Sequence, residues 1–345
     1  MKEIFKGDAI ILFDAAMGTA LHAAGQPAGV GSEEMNLLAP ETVLRIHREN
    51  IEAGSDAITS NTFGVSQMMR RGEGEKAFRA LEEGMKLARL AADSAIGMGS
   101  PAADGAEGMK LAGRAADGCA GRKAFACLCI GPTGALLGPL GDLSYEASEG
   151  FFALQAEAGE RCGADFILLE TFADLEEFVR AARAAKAASN LPVFGTMTFG
   201  ESGRSFMGAA PADFVHEALD CGLAALGANC TLGPAAMLPV ISEIIAETEK
   251  ARSGVEPSPS LMRSEIVAEA EKARPGVHII AQPNAGMPAY RDGRAVYEMT
   301  AEDFAAGAAE LIKLGISGIG GCCGTTPAMI AAIRVIIDTK RADAP

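Results

Sequence analysis

The chain has 345 residues, of which 49% are hydrophobic and 5% aromatic, and its formal net charge is −15. This length suits one barrel-sized domain, and the acidic balance argues against a nucleic-acid partner because phosphate binding needs clustered lysine and arginine. The amino-terminal apolar run is too short for a signal peptide and no stretch reaches the roughly 20 apolar residues that span a bilayer, so we expect no membrane partner.

Short apolar runs, typical of parallel strands buried on both faces, alternate with longer stretches of helical periodicity. The strand candidates, in chain order, are Ile10–Asp14, Ala57–Asn61, Phe125–Ile130, Phe166–Glu170, Val193–Thr198, Ala225–Asn229, His278–Gln282 and Gly318–Gly321. The helix candidates include Pro40–Ala53, Ser144–Cys162, Asp174–Ala188, Pro211–Cys221 and Ala301–Leu314. Eight alternations predict an α/β fold, a single (β/α)8 TIM barrel over residues 1–345. A doubly wound sheet is the alternative, but no G-x-G-x-x-G follows the first strand.

Two stretches interrupt the alternation, at about residues 97–122 and about residues 250–276. Each contains the second copy of a short tandem repeat: EGMKLARLAAD returns as EGMKLAGRAAD, and SEIIAETEKARSGV returns as SEIVAEAEKARPGV. Both second copies fall between a helix and the strand that follows it. We therefore expect surface insertions away from the face on which barrel enzymes build their active sites.

Polar side chains and cysteines stand at the carboxyl ends of the candidate strands. They are Asp14, Ser60, Glu170, Asn229, Cys230, Asn284, Cys322 and Cys323. In a barrel these strand ends converge on one rim, where active sites lie. The sequence therefore predicts that residues some 300 positions apart meet around one site.

Three of the eight cysteines call for a chemical explanation. With no export signal, we expect reduced thiols in a cytoplasmic protein, and most of them should be small buried hydrophobes. Those expected to serve packing alone are Cys119, Cys127, Cys129, Cys162 and Cys221. Glycines around Cys322 and Cys323 allow a turn that aims both sulfurs at one metal, and Cys230 lies one strand away. Three thiolates with one open position predict a catalytic Zn²⁺ site.

A zinc ion with three thiolates is a poor Lewis acid for hydrolysis but suits activation of a substrate thiol, which loses its proton on binding. The predicted reaction is therefore alkyl transfer to sulfur. Asp14 and Glu170 are candidates for binding the ammonium group of an amino-acid substrate, with Ser60 near its carboxylate. Asn229 either binds substrate or satisfies backbone groups.

Seven motifs occur in a characteristic order: FDAAMGT, DAITSNTFG, IGPTGALLGPLG, LLETFAD, GANCTLGP, PNAGMP and GGCCGTTP. In this order they resemble the homocysteine S-methyltransferases, and most of all the homocysteine-binding barrel of cobalamin-dependent methionine synthase. The resemblance runs from about Ile10 to Ile336 and excludes the two insertions. One departure is Ala15, which stands where the family usually has glycine.

The resemblance implies a ligand set and a substrate. Zn²⁺ would be bound by Cys230, Cys322 and Cys323, with the sulfur of homocysteine as fourth ligand. Asp14 and Glu170 would bind the substrate amine, with Ser60 near its carboxylate. Asn284 would take the open zinc position when substrate is absent.

The methyl donor is left open by the sequence. The residues after the barrel are too few for a folate barrel or a cobalamin module, so the resemblance favours a methyl-corrinoid or 5-methyltetrahydrofolate system on separate proteins. S-methylmethionine, S-adenosylmethionine and betaine are alternative donors, and another thiol is an alternative acceptor. A non-catalytic barrel that binds homocysteine or zinc and docks to a corrinoid protein is a competing hypothesis. A metal-free lyase with Asp14 or Glu170 as base is another.

Overall fold

A computed structural model describes residues 4–5, 9–94, 124–253, 276–291 and 294–342. Eight parallel strands form one sheet in the order β1-β10-β7-β6-β5-β4-β3-β2, and β8 pairs with β9 in a separate antiparallel hairpin. The strands are β1 (Ile11–Leu12), β2 (Ala57–Thr59), β3 (Phe125–Ile130), β4 (Phe166–Phe172), β5 (Val193–Met197), β6 (Ala225–Asn229), β7 (His278–Gln282), β8 (Ala289–Arg291), β9 (Arg294–Val296) and β10 (Gly318–Ile319).

Helices fill the connections and cover the outside of the sheet. They are α1 (Met17–Ala23), α2 (Met35–Leu38), α3 (Pro40–Glu52), α4 (Val65–Arg70), α5 (Gly74–Ser94), α6 (Tyr145–Arg161), α7 (Leu175–Ala188), α8 (Pro211–Asp220), α9 (Pro234–Ser253), α10 (Ala301–Lys313) and α11 (Pro327–Ala342). Their starts have local causes: Ser144 caps α6 and Asp174 caps α7 through side-chain oxygens, and Pro211 opens α8.

Hydrogen bonds around Asp56 close the gap between the first and second strands. The Asp56 amide donates to the Leu12 carbonyl at 2.7 Å, and the Leu12 amide donates to Asp56 Oδ2 at 3.0 Å. The buried Arg334 of α11 donates to the same carboxylate oxygen at 3.0 Å. With eight parallel strands, helices between them and this closure, the predicted (β/α)8 TIM barrel is confirmed.

The barrel interior is filled in layers. Alternate residues along a strand face inward, so each strand contributes to successive layers. The deeper layer is apolar: the rings of Phe166 and Phe194 stack with centroids 4.4 Å apart, and Phe13 meets Phe166 edge-on. In the next layer of inward-facing residues, nearer the carboxyl ends of the strands, the side chains become polar. This layer includes Cys129, Glu170, Asn229 and Gln282.

The insertion predicted at 97–122 lies outside the described residues, as does most of that predicted at 250–276. Among the described elements, a helix precedes each insertion, α5 and α9 respectively, and a strand follows it, β3 and β7 respectively. That a single domain spans residues 1–345 remains a prediction. Among the described helices, none has both the length and the apolar character needed to cross a membrane.

Candidate metal and substrate site

Three cysteine sulfurs meet at the carboxyl ends of β6 and β10, on either side of β7. Cys230 directly follows β6, while Cys322 and Cys323 follow β10. Backbone bonds fix their loops: the Cys230 amide donates to the Gln282 carbonyl at 3.0 Å and the Cys322 amide to the Pro283 carbonyl at 2.8 Å. All three Sγ atoms lie within 4.8 Å of one another, so the structure brings the predicted metal ligands together.

The backbone at this cluster adopts a conformation that side chains rarely take. Cys230 and Thr231 have φ angles of 59° and 58°, and Thr171 at the end of β4 has a φ of 63°. Left-handed conformations in non-glycine residues cost about 1–3 kcal/mol each and collect at functional sites. Here the conformation turns the chain sharply as it leaves β6, which places Cys230 at the mouth of the barrel.

The sulfur geometry fits a zinc ion. A zinc–sulfur bond is about 2.3 Å long, so tetrahedral geometry separates two bound sulfurs by about 3.8 Å. The Cys230 and Cys323 sulfurs are 3.8 Å apart. Hydrogen bonds from the thiols of Cys230 and Cys322 lower the pKa of Cys323 to about 3, while bonds to Cys230 and Cys323 raise the pKa of Cys322 well above its usual range. The protein alone thus favours one thiolate shared by three sulfurs, and a divalent cation would offset the charge of all three.

Asn284, the predicted fourth ligand without substrate, also lies in the loop after β7. It is 4% exposed, and among the described residues its Oδ1 atom has no hydrogen-bond partner. An unpartnered buried amide oxygen is costly and invites a ligand. The Ala285 amide next to it donates to the Cys323 carbonyl at 3.0 Å, which ties this loop to the cysteine pair.

Two carboxylates face the cysteines from the other side of the mouth. Asp14 accepts from the Thr59 amide at 2.8 Å and from the Thr59 hydroxyl at 2.7 Å. Glu170 accepts from the Cys129 thiol at 2.8 Å and from the Asn229 amide nitrogen at 3.2 Å. Burial raises the pKa of each carboxyl group to about 7. Both are therefore poised so that a cationic group entering beside them favours their ionised form.

One cavity of about 310 Å³ joins the two groups. Its wall includes both carboxylates, all three cysteines of the cluster, Ser60 and Gln282. A larger cavity of about 900 Å³ lies at the opposite end of the strands, next to the start of β7 and the end of α11, and none of the predicted site residues lines it.

The structure assigns hydrogen bonds to two predicted substrate ligands. The Thr62 hydroxyl donates to the Cys129 carbonyl, so the Ser60 hydroxyl, 2.7 Å away, directs its proton at Thr62. The Asn229 amide is fully engaged. Its Oδ1 accepts from the Thr171 amide and the Thr196 hydroxyl, and its Nδ2 donates to Glu170 and to the Thr171 hydroxyl. Ala15, which departs from the family pattern, also has its backbone amide engaged: it donates to the Asn50 side-chain oxygen Oδ1 at 2.9 Å.

Three residues that the sequence did not assign to the site belong to its wall. Thr59 holds Asp14, and Cys129, expected to serve packing alone, is buried but also contacts Glu170. Gln282 is 4% exposed, and its Oε1 atom has no partner among the described residues. A signal was available in the strand period, because Cys129 and Gln282 alternate with outward-facing residues and so share the inward face with the predicted ligands. Of the other cysteines assigned to packing, Cys127 and Cys221 are buried, Cys162 is partly exposed, and Cys119 lies outside the described residues.

A family model described as homocysteine S-methyltransferase matches residues 11–337. Methionine synthase from Mycobacterium tuberculosis is 27% identical over 343 residues, which cover 95% of this chain and 24% of that protein. Betaine–homocysteine S-methyltransferase 1 from Mus musculus is 25% identical, covering 97% of this chain and 74% of that protein. The chain therefore spans about a quarter of the length of the methionine synthase it matches.

Among solved structures, the metallated form of the homocysteine methyltransferase MmuM from Escherichia coli superposes with a TM-score of 0.68. The two chains are 19% identical, and the match covers 96% of this chain and 97% of that one. At this identity the likeness supports the barrel fold alone.

Proposed function

The chain belongs to the homocysteine S-methyltransferase family, and we propose that it transfers a methyl group to the sulfur of homocysteine, giving methionine. One observation carries the proposal: three clustered cysteine sulfurs and the carboxylates of Asp14 and Glu170 line the same cavity. The sulfurs suit the reacting end of a thiol amino acid and the carboxylates suit its ammonium group.

We propose Zn²⁺ as the cofactor, held by Cys230, Cys322 and Cys323. When bound, it would stabilise the thiolate form of a substrate sulfur at neutral pH, where a free thiol with a pKa of about 8.5 is mostly protonated. The unpartnered Oδ1 of Asn284 is the candidate fourth ligand in the absence of substrate.

The residues of the opposite wall orient the substrate. Asp14 and Glu170 accept hydrogen bonds from its ammonium group, which has three donors and no acceptor. We propose that Ser60 faces the substrate carboxylate, to which its hydroxyl donates once it rotates away from Thr62. Asn229 supports Glu170: its amide nitrogen donates to the Glu170 carboxylate and so holds that carboxylate in place.

In the proposed reaction the substrate thiol would release its proton to solvent, and a lone pair of its sulfur would form the bond to the methyl carbon. The bond from that carbon to the donor breaks, and its electron pair leaves with the donor. The barrel contributes alignment, because the ammonium and the sulfur are held on opposite sides of one cavity and the methyl carbon must approach along its open side.

We propose that the methyl donor is a methyl-corrinoid or 5-methyltetrahydrofolate system carried by separate proteins. Large apolar side chains are exposed on the loops after β3, β5 and β7, at the same end of the barrel as the cavity. They are Leu140 at 79%, Phe206 at 92%, Met287 at 70% and Tyr290 at 80% exposure. Apolar groups gathered around an active-site mouth are typical of a protein docking surface.

A donor panel tests the function. Zinc-loaded protein is incubated with homocysteine and each donor in turn: methylated corrinoid protein, free methylcobalamin, 5-methyltetrahydrofolate, S-methylmethionine, S-adenosylmethionine and betaine. We expect methionine with the corrinoid or folate system. Methionine only with one of the last three would overturn the donor proposal while keeping the reaction.

Three further outcomes would overturn the reaction itself. Methylation of another thiol but not homocysteine would change the acceptor. Stoichiometric zinc and homocysteine binding without turnover, even with corrinoid protein, would indicate a non-catalytic binding partner. Activity that survives removal of zinc would support a lyase that uses Asp14 or Glu170 as base.

A further inference from the structure

We propose that Cys129 is a positioning residue for substrate binding: its thiol holds one oxygen of Glu170, so that the carboxylate presents its free lone pairs to the substrate amine. The inference rests on the proposed function of the same site. It concerns a residue whose sequence context indicated nothing beyond packing.

The contact arises from strand geometry. Cys129 of β3 and Glu170 of the neighbouring β4 both face the barrel interior, and in the parallel register Cys129 is paired with Leu168, two residues before Glu170. The Cys129 sulfur lies 2.8 Å from Glu170 Oε1. Because β3 and β4 are hydrogen-bonded along this stretch, the two side chains are held together by the sheet itself.

Each carboxylate oxygen of Glu170 accepts a hydrogen bond from the protein. While Cys129 donates to Oε1 from β3, Asn229 donates to Oε2 from β6 at 3.2 Å. A carboxylate has about four lone-pair directions, so two remain for a ligand in the cavity. Donors on two different strands fix the plane of the carboxylate, which a single hydrogen bond would leave free to rotate.

The thiol is suited to this task. Burial first, and then the negative charge of Glu170, raise the pKa of Cys129 well above its usual range, so the thiol keeps its proton at neutral pH and acts as a donor. Its backbone is also fixed, because the Cys129 amide donates to the Ser60 hydroxyl at 3.1 Å and its carbonyl accepts from the Thr62 hydroxyl at 2.6 Å. Strand β3 and the segment that follows β2 thus set the position of this donor atom.

Cys127 provides a matched control. It lies two residues earlier on β3, faces the same interior and is fully buried, but it belongs to the apolar layer formed with Phe166 and Leu168. Replacing it with alanine removes the same atoms from the same strand. If Cys129 served packing alone, the two substitutions would act alike on ligand binding.

The test compares two thiols on the zinc-loaded, full-length chain by calorimetry. Homocysteine carries the amine, and 4-sulfanylbutanoate is the same molecule without it. In Cys129→Ala we expect the Kd of homocysteine to rise about tenfold, in keeping with the loss of a hydrogen bond to a charged group. The Kd of 4-sulfanylbutanoate should stay within about twofold, Cys129→Ser should restore homocysteine binding through its hydroxyl, and Cys127→Ala should not distinguish the two thiols.

Equal weakening of both thiols in Cys129→Ala, or no weakening of either, would overturn the positioning role while leaving the proposed function intact. Failure of the unchanged chain to bind zinc or homocysteine would instead overturn the proposed function, and the positioning role with it. If Cys129→Ala does not fold, Cys129→Val fills nearly the same volume without a donor and should show the same selective loss.

Discussion

The two halves of the barrel mouth place their functional groups in different ways. In the half made by β6, β7 and β10, the sulfurs of Cys230, Cys322 and Cys323 are set by the backbone, through interloop amide–carbonyl bonds and a left-handed turn. In the half made by β1 to β4, the carboxylates of Asp14 and Glu170 are set by side chains and amides of neighbouring strands.

The two halves of the mouth are therefore suited to different tasks. In the proposed function the sulfur half would hold the atom that reacts, which requires only that three ligands converge. The carboxylate half would hold the amino-acid end of the substrate, which requires each carboxylate oxygen to point correctly. Substitutions in the first half should therefore abolish metal binding, and substitutions in the second should weaken substrate binding while the metal stays in place.

The largest effect is expected from the sulfur half. Structural zinc sites are worth roughly 10–16 kcal/mol over four ligands, so removing one thiolate should cost about 3 kcal/mol, or about 100-fold in zinc affinity. Cys230→Ala and Cys323→Ala should lose both zinc and methyl transfer, measured by metal analysis and methionine formation. Cys221→Ala, remote at the end of α8, is the control and should keep both.

A smaller and different effect is expected from the carboxylate half. Glu170→Gln removes a charged acceptor for the ammonium group, which is worth about 1.5–3 kcal/mol and hence about 10–100-fold in the KM of homocysteine. Its zinc content should be unchanged, and the exposed Glu176→Gln should behave as the unchanged chain. Loss of zinc in Glu170→Gln would break the proposed division of tasks.

The affinity of the carboxylate half for an ammonium ligand should also depend on pH. Because burial raises the pKa of Asp14 to about 7, this group is protonated and uncharged below that pH and carries its charge above it. An ammonium ligand should therefore bind more tightly as pH rises towards 7, by up to about tenfold per pH unit, and level off above.

Methionine is the ligand of choice for this measurement, because it has the ammonium group but no thiol proton to release. Calorimetric titrations between pH 5 and 9 should show the change in slope, and Asp14→Asn should remove the contribution of this group. A pH-independent Kd in the unchanged chain would contradict the role of Asp14.

The smallest expected effect concerns the donor. Phe206→Ser should raise the KM of a methyl-carrying protein about fivefold, in line with the loss of one apolar contact of about 1 kcal/mol. Turnover with free methylcobalamin should not change. Leu90→Ser on α5 is the control, since Leu90 is also an exposed apolar residue, at 50%, but lies away from the strand ends that form the mouth. Equal effects of the two substitutions would argue against docking at this face.

The sulfur half was the easier one to predict from sequence. The strands Ala225–Asn229 and His278–Gln282 match the predicted bounds because they are largely apolar runs with a sharp polar end. Cysteines at such ends converge in any closed barrel. The separate β8–β9 hairpin was not predicted, because its short strands are largely exposed and carry no apolar pattern.

The carboxylate half was only partly predictable. The position of Glu170 follows from the strand pattern. The donors that hold it follow from the register between β3 and β4 and from the position of β6, two strands away, which sequence periodicity does not define. For the same reason the hydrogen bond between the Ser60 and Thr62 hydroxyl groups could not be predicted from the sequence. Hydrogen-bond partners depend on the tertiary structure, whereas strand ends are indicated by the local sequence.

We propose that three cysteines hold zinc and leave one position for the substrate sulfur. Zinc K-edge X-ray absorption of the purified protein, with and without homocysteine, tests it most directly. We expect three sulfur ligands and one lighter ligand without substrate, and four sulfur ligands once homocysteine is added. Fewer than three sulfurs in the free protein, or no additional sulfur with homocysteine, would contradict it.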